Sequence, residues 1–342
     1  MLDKKTIEHF CQVIDNNSRF VLVCHTNPDG DALGSTLALR QLLLNMGKQA
    51  SVITPDLAPS FYSWIKGYKT TKAYEREQEA CDKIIDEADV VIMMDFNALD
   101  RIKSLGDKLL KFTRTKILID HHIEPKVDVD VFFSDPTESA TCSYVYRIIT
   151  EAGYAQYITI DVATNLYTGI ITDTGGLSYN SSNPELYYIV ADLLKRGVDK
   201  TWVHEKIFNN KHLRQLRLLG FALSKRLYRI PNTPLTVMAL SIEDLERFNY
   251  NTGDTEGFVN YPLQSRDVKA NVLILERPDS VKLSIRSKGD FPVNEFASKY
   301  FGGGGHLNAA GCTFHGSLQD AESLYKENML KFYNEWVAKQ GK

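Results

Sequence analysis

Cysteine is scarce in this 342-residue chain, and its five cysteines (Cys11, Cys24, Cys81, Cys142, Cys312) stand far apart. An odd count with no CxxC pair suggests neither a disulfide framework nor a zinc ribbon, and reduced thiols in a cytosol fit best. Neither sign of charge dominates: Lys+Arg number 40 and Asp+Glu 43, for a formal net charge of -3. A whole-molecule basic field that would hold a long duplex nucleic acid is therefore absent, while a local basic groove for a short anion stays open. No run is long and apolar enough to span a bilayer, and the opening MLDKKTIEHF lacks an apolar signal core. A cytoplasmic protein without a membrane partner is expected. Internal repeats and low-complexity segments are lacking too. What is there is ordinary globular material, 43% hydrophobic and 24% charged. At ~100–200 residues per domain, it suits two cores.

Three short apolar runs stand out in the first half: 19–25 (RFVLVCH), 89–95 (DVVIMMD) and 116–120 (KILID). Helical periodicity separates them, as at 34–46 and 140–152. Near-continuous apolar strands alternating with helices predict an α/β domain with a doubly wound, mainly parallel sheet. The second half reads as a smaller mixed α/β domain. Strands are expected at 235–240, 270–276 and 281–286, and helices at 242–248 and 293–301. Between the halves lie a helical stretch at 183–196 and a charged segment at 204–229, whose LRQLRLLG looks like a connecting helix. The expected division is 1–195, a helical linker 196–231, and 232–342.

Each apolar run ends in a residue type that ligates metals: His25, Asp95, and Asp120-His121-His122. In an open parallel sheet, the loops after the strands form the binding crevice, so distant residues can meet there. His25 opens the segment His-Thr-Asn-Pro-Asp-Gly-Asp, where Pro28 and Gly30 tighten the turn carrying Asp29 and Asp31. Asp173 stands in Thr-Asp-Thr-Gly-Gly after the helical run 162–171. Singly, each has a bland explanation: a solvated turn, an N-cap by Ser35 or Asp31, a strand-end turn, a helix exit through glycine. Four such segments on one sheet edge argue for a site. Imidazole with carboxylate suits manganese, iron or zinc better than calcium alone. Ser35 and Cys24 lack the base and orienting partner that a covalent nucleophile needs.

A second cluster lies near the C-terminus. Gly302–Gly305 can expose backbone N–H groups to an anion, and a following helix start would add to that. His306 and Asn308 would supply donors, and Arg286 and Lys288 positive charge. Arg266 is a weaker candidate, and the aromatic stretch 61–68 is expected to be packing.

This order of motifs resembles the DHH phosphoesterase family over nearly the whole chain. Residues 25–35, Asp95, Asp120–His122 and Asp173 resemble its four motifs. Phe301-Gly-Gly-Gly-Gly-His-Leu-Asn-Ala-Ala-Gly311 and Arg286-Ser-Lys-Gly289 resemble the signatures of the DHH-associated C-terminal domain. Within the family the chain is most similar to the nanoRNase and PAP phosphatase branch, which also contains cyclic-dinucleotide and pApA phosphodiesterases. One departure is Ile123-Glu124-Pro125, where relatives carry a polar residue such as asparagine; it bears on substrate preference. The resemblance implies two divalent cations, with Mn²⁺ the preferred ion: His25 and Asp29 on the first, Asp31, His121 and Asp173 on the second, and Asp95 bridging. It implies that Asp120 orients His121, that His122 faces the substrate phosphate, and that a two-metal-activated water cleaves the ester. Arg286, Lys288, Gly303, Gly304, Gly305, His306 and Asn308 would grip substrate in the C-terminal domain, with the active-site cleft between the domains.

The substrates so implied are short single-stranded RNA, linear dinucleotides and 3′-phosphoadenosine 5′-phosphate. Cyclic dinucleotides such as c-di-AMP, or polyphosphate and pyrophosphate, are the alternatives. A nucleotide-binding regulator without chemistry is disfavoured because all six ligand positions are filled. A long single-strand exonuclease is disfavoured by the short chain. A homodimer is left open.

Overall fold

In the strand Arg19–Val23 every residue after the arginine is apolar and buried, so the strand needs cover on both faces. In the computed structural model, which describes residues 2–340, this strand (β1) is central to a six-stranded sheet. Its partners are β2 (Gln49–Thr54), β3 (Lys72–Ala73), β4 (Val90–Met94), β5 (Thr115–Asp120) and β6 (Val131–Ser134), in the order β3-β2-β1-β4-β5-β6. Every pairing is parallel. The helices are α1 (Lys4–Asn16), α2 (Gly30–Asn45), α3 (Gln78–Glu87), α4 (Ser104–Leu110), α5 (Thr141–Glu151), α6 (Ile160–Asp173), α7 (Pro184–Lys195) and α8 (Lys200–Phe208).

Alternate strand residues feed two cores. Phe20, Leu22, Ile92 and Ile119 pack with Phe10 of α1, Leu37 of α2, Ile148 of α5 and Leu166 of α6. Val21, Val23, Val91 and Leu118 face the other way, onto Ile85 of α3 and Leu105 of α4. The sheet is doubly wound, as its apolar runs required. The chain builds outward from β1 through β2 to β3, then returns to β4 on β1's other side. The C-terminal ends of β1 and β4 therefore flank a topological switch point, where such sheets bind ligands.

The chain parts into Met1–Asn210 and Lys211–Lys342. The segment 196–231, expected as a linker, divides at that point. Val203 of α8 joins the first unit's core. α9 (Leu213–Phe221), a π-helical turn at Ala222–Arg226 and β7 (Leu227–Arg229) belong to the second. There Leu218, Leu219 and Ala222 are buried against Met238 and Leu240, so their apolar faces belong to that unit's core. The remaining elements of that unit are β8 (Leu235–Leu240), α10 (Ile242–Arg247), β9 (Ala270–Arg277), β10 (Ser280–Ser287), α11 (Val293–Phe301), β11 (Gly304–His306), β12 (Ala309–Phe314) and α12 (Leu318–Gln340). Its sheet runs β11-β12-β10-β9-β8-β7 and is mixed: β8 and β9 pair in parallel, the others antiparallel.

α2 and α6 cross at close range. A methyl group on Gly34 would lie 2.7 Å from the Asn165 carbonyl oxygen. On Gly169 it would lie 2.2 Å from Cys142 Sγ and 2.7 Å from Asp31 Oδ1. Gly169→Ala is therefore expected to overpack the α2–α5–α6 contact and destabilise the fold by about 1–3 kcal/mol. Chemical denaturation would show it as a lower midpoint at unchanged slope; an unaltered midpoint would contradict the close contact.

Candidate metal centre

The switch point gathers the acidic and histidine segments. β1 leads into His25, and Asp29 then caps α2, accepting from the Asp31 and Ala32 amides at 2.9 and 3.0 Å. Asp31, in the first turn of α2, is turned inward and 1% exposed. It accepts from the first amides of α5, Thr141 N at 2.6 Å and Cys142 N at 2.9 Å. A helix N-terminus leaves such donors without partners of its own, and a carboxylate suits their partial charge. β4 delivers Asp95 in a left-handed conformation, φ 63°. That geometry is uncommon for a residue with a side chain, though aspartate tolerates it better than most. β5 ends in Asp120, followed by His121 and His122. α6 ends on Asp173 and exits through Gly175 and Gly176 at φ 55° and 73°, as the helix-exit reading expects.

Two groups of ligating atoms result, His25–Asp29–Asp95 and Asp31–His121–Asp173, each within 4.8 Å. Asp95 faces both. Its Oδ2 lies 3.5 Å from His25 Nε2, and its Oδ1 lies 3.7 Å from His121 Nε2. Thr141 Oγ1 donates to the same Oδ1 at 2.9 Å. His121 Nε2 is also 3.7 Å from Asp173 Oδ2 and 4.0 Å from Asp31 Oδ2. All six residues expected as ligands thus converge. His122 joins a third such group, with Asp95 and His121.

What stands behind each imidazole differs. His25 Nδ1 is 2.8 Å from the Thr26 carbonyl, and His121 Nδ1 is 3.2 Å from the Glu138 carbonyl. A carbonyl can only accept, so in both rings Nδ1 carries the proton and Nε2 points at the carboxylates. His122 is backed by a carboxylate: its Nδ1 lies 2.7 Å from Asp120 Oδ1. This corrects the expectation that Asp120 orients His121. Asp120 and His122 are two apart in sequence, and the turn after β5 brings their side chains together. The main-chain carbonyl of Glu138 takes the role expected of Asp120. It was not legible in sequence, because a carbonyl carries no residue signature. Thr141 was missed for a related reason: its part depends on where α5 begins.

Charge crowding follows from this convergence. Burial, then the neighbouring Asp95 charge, pushes the Asp31 carboxyl up to about 7. Burial pulls the His25 imidazole down, but the Asp95 hydrogen bond and the Asp29 charge outweigh it and raise it to about 9. His121 is likewise held down by burial and raised overall to about 9, chiefly by Asp173, Asp95 and Asp31. Such a cluster holds protons near neutrality where a cation would otherwise balance it. Imidazole Nε2 and carboxylate oxygens in these two groups fit divalent first-row cations.

In the second unit, Arg286 of β10 alternates with the buried Leu283, Ile285 and Ser287, stands opposite the buried Asn271 of β9, and is itself only partly exposed. Its guanidinium donates to the Ile285 carbonyl at 3.0 Å, and burial holds it below its usual pKa. Lys288 donates to the Ser265 carbonyl at 2.7 Å. Two expectations are corrected here. No helix starts after the glycine run. Gly302 ends α11 at φ 61°, and Gly304–His306 forms the edge strand β11 of a hairpin with β12. Gly303 and Gly305 are required by close packing, since a methyl group on Gly305 would meet the Ala309 carbonyl oxygen at 2.2 Å. Nor is Asn308 a ready donor: its amide nitrogen already serves Ser287 Oγ and the Gly289 carbonyl, both at 2.8 Å. Arg266 is 96% exposed beside Asp267. In the 61–68 stretch Trp64 packs edge-on against Trp202, consistent with the packing reading.

Residues 19–170 match the model for the DHH family, N-terminal domain, and residues 232–339 match the DHHA1 domain. An exopolyphosphatase-related protein from Bacteroides fragilis superposes with a TM-score of 0.94 at 38% identity, over 96% of this chain and 97% of that one. A bifunctional oligoribonuclease and PAP phosphatase, NrnA, from Thermus thermophilus is 28% identical over 320 residues, 94% of this chain and 90% of its own. RecJ from Thermus thermophilus, solved in complex with Mn²⁺, shares the fold at TM-score 0.56 and 12% identity, over 97% of this chain and 55% of that one.

Protons held near neutrality at Asp31, His25 and His121 must leave for a cation to bind. The sign follows: raising the pH from about 6 to about 9 is expected to tighten Mn²⁺ binding and shrink the proton release. Calorimetry in two buffers of different ionisation enthalpy measures both. Binding independent of pH would count against the cluster as the cation site.

Proposed function

This chain belongs to the DHH family, carries a DHHA1 domain, and is a hydrolase acting on phosphoester bonds; from that premise we propose an Mn²⁺-dependent enzyme that cleaves short oligoribonucleotides, linear dinucleotides and 3′-phosphoadenosine 5′-phosphate. The oligoribonuclease and PAP phosphatase from Thermus thermophilus supports this substrate class. The observation that carries the metal reading is the Asp95 carboxylate, with one oxygen toward His25 and the other toward His121. His25, Asp29 and Asp95 would hold one cation, and Asp31, His121, Asp173 and Asp95 the other. Such a pair, when bound, stabilises the attacking and leaving oxygens of an in-line displacement and eases deprotonation of water.

The chain's own residues divide the remaining work. Asp95, anchored by the Thr141 hydroxyl, fixes the spacing of the two ligand groups. His122, backed by the buried Asp120 carboxylate, presents its other ring nitrogen to a phosphoryl oxygen, and Asp120 compensates positive charge on the ring. Arg286, with Lys288 and the Gly303–His306 hairpin strand, would grip the substrate's terminal phosphate; arginine suits bidentate phosphate contacts. A second reading, hydrolysis of inorganic polyphosphate, is favoured by the likeness to the exopolyphosphatase-related protein. Kinetics with Mn²⁺ on dinucleotides, 3′-phosphoadenosine 5′-phosphate, cyclic di-AMP and polyphosphate, side by side, separate these readings.

Asp95→Ala is expected to lower kcat on the order of 1000-fold, the scale on which one charge-stabilising group acts. Near-normal Mn²⁺-dependent turnover in that variant, or full activity in a chelator, would sink the metal reading. Arg286→Ala is expected to raise KM about 10-fold, as for one charged hydrogen bond, with Mn²⁺ affinity unchanged. Parallel loss of Mn²⁺ binding in that variant would contradict the division of labour.

A further inference from the structure

Glu138 is a charged residue in the loop between β6 and α5, where solvent would cost it nothing, yet it is 5% exposed. Its carboxylate is fully engaged. Arg147 pairs with Oε1, and Ser143 Oγ donates to Oε2 at 2.9 Å. Both partners stand on α5, the helix whose first amides hold Asp31. The main-chain carbonyl of Glu138 meets His121 Nδ1 at 3.2 Å. Asn180, in the segment after α6, donates its side-chain amide to the same carbonyl oxygen at 3.2 Å. A carbonyl has two lone pairs, so both donors can be satisfied at once. Burying a carboxylate is costly unless it is paired, and a paired one locks its own loop.

We infer that Glu138, Arg147 and Asn180 are positioning residues for His121: the side-chain ion pair and the Asn180 amide hold one carbonyl where it keeps the ring's Nε2 turned to the cation site. This rests on the metal-centre reading above. It assigns to an ion pair outside the cluster the orienting role that a hydrogen-bonded acceptor plays behind a ligating histidine, where its loss typically costs 10–100-fold in metal affinity.

The test compares Mn²⁺ binding by calorimetry with thermal unfolding of the metal-free protein. The variants are Glu138→Gln, Arg147→Lys, Asn180→Gly and, as control, His121→Ala. Glycine is chosen at 180 because Asn180 sits at φ 43°, which glycine adopts without strain. Asn180→Gly is expected to weaken Mn²⁺ binding about 10-fold, with the metal-free melting midpoint at the wild-type value. Glu138→Gln, which leaves Arg147 without its carboxylate, is expected to lower that midpoint and also to weaken Mn²⁺ binding about 10-fold at temperatures where the metal-free protein is fully folded. Arg147→Lys, which keeps the charge, is expected to bind close to wild-type strength. If Glu138→Gln and Asn180→Gly bind Mn²⁺ like the wild type while His121→Ala does not, the positioning role is wrong and the metal centre stands. If the two variants lose affinity only in step with the metal-free midpoint, the residues serve the fold alone, and the inference fails. If His121→Ala itself binds Mn²⁺ unchanged, the metal-centre reading fails and the inference with it.

Discussion

One carboxylate joins three helices. Asp31 leaves the first turn of α2, takes the opening amides of α5, and lies against Gly169 of α6, where even a methyl group has no room. A buried carboxyl at a helix N-terminus is tolerable because unpaired amide dipoles meet it. Everything else at the switch point is set out from this joint. α5 starts where it must for Thr141 to reach Asp95, and for Ser143 and Arg147 to reach Glu138. α6 ends where Asp173 can face His121.

The site separates histidines by what lies behind them. His25 and His121 rest on neutral carbonyls, whereas His122 rests on the Asp120 carboxylate. Residue identity does not distinguish His121 from His122; backbone direction at the end of β5 does. A ring held by a carbonyl keeps its second nitrogen as a plain lone-pair donor. A ring held by a carboxylate has a compensating charge at hand.

Much of this was legible before the fold was known. Apolar runs ending in His25, Asp95 and Asp120 marked the strands and their shared edge, because a parallel sheet covered on both faces demands such runs. Shorter or edge strands were not legible. β3 has two residues, and β11 is made of two glycines and a histidine, so neither carries a periodic signal. The glycine run lies in a hairpin edge, and its backbone freedom also meets a packing need at Gly305. Contacts through main-chain atoms, such as the Glu138 carbonyl, leave no trace in residue type. They emerge only when distant segments are brought into register.

The candidate ligand atoms at the switch point come from four separated stretches of chain, around residues 25–31, 95, 121 and 173, and only the packed helices and sheet bring them together. An extended chain offers no such pocket, so a cation that settles there discriminates between the native state and the unfolded one. For each ion bound, every decade of free cation above its dissociation constant adds about 1.4 kcal/mol to the native state. A divalent cation bound there would thereby add to the equilibrium stability of this fold, and its scarcity would act on abundance as well as on turnover.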